Sequence, residues 1–116
     1  MRALYLILTC LIILLGVVHV SATFALFDGL SSRAVWFASG GLAIILTGLI
    51  NLLNRAYGAA APGVRCTAIG SNLAMTIFAA LAGVAGAASG IQLAIIVGLM
   101  AATTLLSFRP SRSAVA

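Results

Sequence analysis

Glutamate is absent from this sequence, Asp28 is its single acid and His19 its single histidine. Paired carboxylates for acid–base catalysis are therefore excluded, and no nucleophile stands beside a base in a recognisable motif. Charge of either sign is scarce. Only 6% of the side chains are charged and 64% are hydrophobic, whereas an ordinary soluble domain has about a quarter of its residues charged. Cysteine is limited to Cys10 and Cys66, with no CxxC or Cys/His spacing, so neither a disulfide framework nor a zinc site is indicated. No phosphate-cradling glycine loop is present, and no motif calls for a cofactor.

What remains is a series of long apolar runs separated by short polar stretches. It reads as an all-α membrane protein: a four-transmembrane-helix bundle in one domain over residues 1–116, with helices at about 3–26, 33–54, 67–85 and 91–108 and a short tail at 109–116. Each is near the roughly 20 residues needed to cross a hydrocarbon core of about 30 Å. The start of the chain also resembles a secretory signal, with Arg2, an apolar core and Val20-Ser21-Ala22. Its apolar run exceeds the usual core of about 7–15 residues, which favours a first spanning helix. Asp28, Gly29 and the serines at 31 and 32 mark the first turn. Gly58, Pro62 and Gly63 interrupt the second, and Gly86 to Gly90 form the third.

Six arginines give a formal charge of +5. In a soluble protein this would suggest nucleic acid; at helix ends it sets orientation and meets anionic headgroups, so no nucleic acid partner is expected. With four crossings, Arg2, Arg55, Arg65, Arg109 and Arg112 share one side and Arg33 lies on the other. Basic short loops favour the cytoplasm, which places both termini there, in a bacterial cytoplasmic (inner) membrane. Trp36 and Tyr57 are the expected interface anchors.

Each run also carries a stripe of small or weakly polar residues. Asn72, Thr76, Ala79, Gly83 and Gly86 recur at helical spacing, and so do Thr9, Gly16, His19 and Thr23, and Gly40, Thr47, Asn51 and Arg55. Gly90, Ala94, Gly98 and Ala102 have small-xxx-small spacing. Helices in lipid associate through such packing and through interhelical hydrogen bonds, so these stripes are expected to face inward or to join copies of the chain in a homo-oligomer. A weak duplication is visible as well: Leu14–Val18 resembles Leu81–Ala85, and Leu42–Ile45 recurs as Leu93–Ile96.

The candidate site residues are few. His19 lies roughly 24 Å along its helix, near the outer boundary, where it serves as an interfacial group hydrogen-bonded to Asp28, Gln92 or a lipid headgroup, as a ligand to haem or metal, or in proton transfer or ligand binding. Asn51 and Asn72 fall at similar depth and are expected either to bond to each other or, with Thr47 and Thr76, to line a polar path. In size and helix count the chain is similar to the small multidrug resistance transporters. The membrane-embedded glutamate on which that family depends has no counterpart here, so transport of cationic drugs is not implied. The expected function is a non-enzymatic module that binds lipid, a small ligand or a larger membrane complex. The alternatives are a small oligomeric transporter or channel, and a redox subunit using His19.

Overall fold

The computed structural model describes residues 2–109. They fold into four α-helices and no strand: α1 (Arg2–Leu26), α2 (Ser32–Tyr57), α3 (Pro62–Val84) and α4 (Gly90–Ser107). All four are long and apolar enough to cross a membrane. α1 packs most extensively on α2 and α3 on α4; α2 also meets α3, and the seam between α1 and α4 is looser. The result is an up-and-down bundle with the α2–α3 loop and both described chain ends at one end, here the terminal end. The other two loops lie at the opposite, loop end.

The helix boundaries follow from local chemistry. Ser31 caps α2, its Oγ accepting a hydrogen bond from the Ala34 amide at 3.2 Å. α2 runs on to Tyr57, past the expected end at Asn54, before Gly58 closes it. α3 begins at Pro62 instead of near Thr67. Proline suits a first turn, where its fixed φ is already helical and its missing N–H would have had no partner; Pro62 reads as a loop breaker only when the turn after it is ignored. α3 ends at a left-handed glycine, Gly86 (φ 72°). The Gly86 amide donates to Gly83 O and the Ala87 amide to Ala82 O, a Schellman closure. Gly86 therefore serves the turn and not helix packing.

Ser89 opens α4 with a capping box: its Oγ accepts from the Gln92 amide at 3.3 Å, and Gln92 Oε1 accepts from the Ser89 amide at 3.0 Å. Ser89→Ala is expected to cost about 1 kcal/mol of stability. Detergent-unfolding midpoints compared with wild type will check this. At the other end of α4, Arg65 Nη2 donates to Phe108 O at 2.6 Å. This cation satisfies a terminal carbonyl and ties the start of α3 to the end of α4.

Burial in this bundle is inverted relative to a soluble protein. Thr9, Asn51, Asn72, Thr103 and Ser107 have no exposed surface, while Ile7, Leu14, Leu46, Ile77, Phe78 and Leu105 are each more than half exposed. An exterior so apolar is a liability in water and is the expected surface in lipid. The apolar core is small: Ile12, Ile44 and Met100, with Met75, Ile96 and Leu99 packed around them.

The tightest contact is between α1 and α2. A Cβ on Gly16 would lie 2.8 Å from Gly41 O and 2.9 Å from the Ile45 amide nitrogen, and one on Gly41 would lie 2.9 Å from the Val20 amide nitrogen. Here backbone meets backbone, so only glycine fits. Farther along, Gly48 makes room for Ile13. On α2 the close approach thus uses Gly41 and Gly48, while Gly40, one position round the helix, sits beside His19. Ala79 is buried, and Gly83 accommodates the Leu93 side chain from α4. Gly90 and Gly98 have nothing within 4 Å of a Cβ position. Instead, α4 buries Met100, Thr103, Thr104 and Ser107. Ala94, Gly98 and Ala102 border an apolar groove of about 580 Å³ along the α1–α4 seam.

Candidate functional site

Polar side chains gather at two places. The first, at the terminal end, is an amide lock joining three helices. Asn51 Nδ2 donates to Thr47 O at 2.7 Å and to Asn72 Oδ1 at 2.7 Å, and Asn72 Nδ2 returns a bond to Asn51 Oδ1 at 2.9 Å. The Tyr5 hydroxyl donates to the same Asn51 oxygen at 2.5 Å and accepts from Asn54 Nδ2 at 3.0 Å. Both donors and both acceptor positions of Asn51 are therefore occupied within the chain. Asn51 and Asn72 are fully buried.

Thr47 and Thr76, grouped with the asparagines in the sequence, turn their hydroxyls back to Ala43 O and Asn72 O, each one turn earlier on the same helix. This is the ordinary way for a threonine to satisfy itself inside an apolar helix. The two threonine hydroxyls thus bond within their own helices, and the two asparagines bond to each other across the α2–α3 interface. Tyr5 and Asn54 complete the lock and were not among the expected site residues. The signal for them was present: Tyr5 extends the Thr9–Gly16 stripe by one turn, and Asn54 stands three residues after Asn51. Thr9 Oγ1 is buried without a hydrogen-bond partner among the described residues.

The second place is at the loop end, around His19. Its ring stacks on Phe37 of α2, with centroids 4.0 Å apart and planes 14° apart. Phe27 leans against the same Phe37 at 5.7 Å. His19 and Phe37, together with Gln92 of α4 and the apolar Leu15, Val18 and Ile96, line a pocket of about 260 Å³. The capping box uses Gln92 Oε1 and leaves its NH₂ as a donor at the pocket wall. Gln92, considered above as a partner for His19, shares this pocket; Asp28 lies instead against a separate cradle beside the α1–α2 loop.

Comparison with protein-family models, characterised proteins and solved structures gives no match to this chain.

The chemistry available at the pocket is therefore read from its own walls. An imidazole held flat by an aromatic ring and an amide donor face a space that is otherwise hydrocarbon, the usual composition of a small-molecule site. Among the described residues no group of three His, Cys, Asp or Glu side chains is placed to hold a metal. A haem or metal on His19 would need its remaining ligands from outside that set. Trp36 and Tyr57, the expected anchors, are 78% and 60% exposed. They stand 21 positions apart on α2, a rise of roughly 32 Å, which matches the hydrocarbon thickness of about 30 Å.

Proposed function

We propose that this chain is a non-enzymatic integral membrane protein that crosses a bacterial cytoplasmic membrane four times and binds a small apolar molecule or lipid in the His19 pocket. The observation that carries this reading is the pocket itself: His19 and Gln92, from helices distant in sequence, converge with Phe37 on one apolar space at the loop end. The terminal end, with Arg2, Arg55 and Arg65, faces the cytoplasm, and the pocket opens near the outer boundary. The amide lock closes one end of the bundle and fixes the spacing of α1, α2 and α3, so the pocket end is the end free to admit a ligand. The open α1–α4 seam, bordered by Ala94, Gly98 and Ala102, supports self-association or docking to another membrane protein.

The ligand that suits these walls has a flat or branched apolar body and one hydrogen-bonding group for His19 or Gln92. Purification in mild detergent followed by mass spectrometry and visible spectroscopy of the organic extract tests the reading. Wild type is expected to carry a near-stoichiometric small molecule, and His19→Ala to lose it by about tenfold, the equivalent of 1.4 kcal/mol. Equal recovery from both proteins, with the variant still folded, would remove His19 from the site. A haem spectrum in wild type that vanished in the variant would make His19 an axial ligand instead.

A further inference from the structure

We propose that the cradle beside the α1–α2 loop holds a lipid headgroup bearing a primary ammonium, of the phosphatidylethanolamine type, with Asp28 as its anchor. The inference rests on the membrane reading above but not on the His19 pocket, and it concerns different residues.

Asp28 is the only acid in the chain. It lies at the mouth of a cradle of about 660 Å³ between the last turns of α1 and the first turns of α2. Below it the walls are apolar, with Val20, Phe24 and Leu42 reaching about two helical turns down, roughly 10 Å. That is the depth over which a headgroup gives way to acyl chain. The polar side chains on the walls, Thr23, Asp28 and Ser39, all carry oxygens that accept hydrogen bonds. Ser39 spends its hydrogen on Trp36 O at 2.7 Å, and the Thr23 hydroxyl faces His19 O at a longer 3.5 Å. Both can turn acceptor lone pairs toward the cradle, as a carboxylate does.

A wall of acceptor side chains around a negative charge complements a cation rich in donors. A primary ammonium supplies three N–H groups, whereas a quaternary ammonium supplies none. The lipid phosphate, two carbons from that ammonium, would lie toward the start of α2. There Arg33 and the positive end of the helix favour it. Anionic lipids without an amine have no use for Asp28, so the cradle selects a zwitterion.

The test is competitive native mass spectrometry on the full, delipidated protein. The probes are phosphatidylethanolamine, its mono- and dimethylated forms, phosphatidylcholine and phosphatidylglycerol, all with identical acyl chains. Wild type is expected to prefer phosphatidylethanolamine over phosphatidylcholine by about tenfold, the scale of a charge-assisted hydrogen bond, with affinity falling as methyl groups are added. Asp28→Asn should abolish the preference. His19→Ala should keep it, which separates this site from the ligand pocket. Equal binding of all the zwitterions by wild type would overturn the proposal without any variant being needed. So would a preference that survives Asp28→Asn, or stronger binding of phosphatidylglycerol.

Discussion

Gly16→Ala is expected to destabilise the bundle by about 1–3 kcal/mol, while Gly70→Ala, the same change on α3, stabilises it by about 0.5–1 kcal/mol. The opposite signs follow from what a methyl group meets. At Gly70 there is nothing within 4 Å of a Cβ, so alanine only removes glycine's excess freedom in the unfolded chain. At Gly16 the new carbon would press on Gly41 O at 2.8 Å and the Ile45 amide at 2.9 Å. Backbone atoms cannot rotate aside as a side chain can, so α1 and α2 must separate and lose contacts along the hairpin. Gly41→Ala should behave as Gly16→Ala does, because the Val20 amide lies 2.9 Å from its Cβ position. Detergent titrations that follow helix content report the midpoints. If Gly16→Ala shifted its midpoint in the same direction as Gly70→Ala, the close approach of the two helices would be disproved.

Asn51→Ala should cost about 2–3 kcal/mol, because it strands several buried groups at once. The Tyr5 hydroxyl loses its acceptor, and Asn72 loses both the donor and the acceptor it uses across the α2–α3 interface. An orphaned buried polar group costs about 1–3 kcal/mol in general. Interhelical hydrogen bonds in membranes average about 0.6 kcal/mol and reach about 1.7, because the dissociated helices find other partners. The expected total lies between one such bond and the sum of three. Asn72→Ala should be nearly as damaging. The double variant should cost clearly less than the sum of the two, since each single change already breaks the reciprocal pair. Strict additivity in that cycle would mean that the two amides do not act as a unit.

The sequence made the helices legible because each apolar run has one length and one composition that lipid accepts. It made the amide pair legible too: Asn51 and Asn72 are amides in otherwise apolar helices, and a simple count of helical rise puts them at one depth. Which glycine touches which helix was not legible. Gly40 and Gly41 are neighbours in sequence, and the choice between them depends on the rotation of α2 about its axis, which packing against α1 decides. The same holds for α4. Its small-residue stripe and its hydroxyl stripe, Thr103, Thr104 and Ser107, offer two rival faces, and the hydroxyl face is the one turned inward. Their hydroxyls bond to backbone carbonyls of the same helix, so burial left them satisfied.

The two segment pairs that look alike in sequence meet at different registers: Gly16 lies against Ile45, the last residue of its partner segment, whereas Gly83 lies against Leu93, the first residue of the other. The His19 pocket needed a further piece of information that no single helix holds, namely that α4 brings Gln92 to the same end as Phe37.

Site-specific labelling reads the proposed topology, four crossings with the amide lock on the cytoplasmic side and the His19 pocket toward the outside. Cys10 and Cys66 are first replaced by serine, and single cysteines are then introduced as Leu30→Cys in the first loop, Ala60→Cys in the second and Ala87→Cys in the third, all exposed positions. Intact cells are treated with a membrane-impermeant maleimide. Leu30→Cys and Ala87→Cys are predicted to react from outside, and Ala60→Cys only after the membrane is opened. Labelling of Ala60→Cys from outside with protection of the other two, or equal labelling of all three, would overturn that topology.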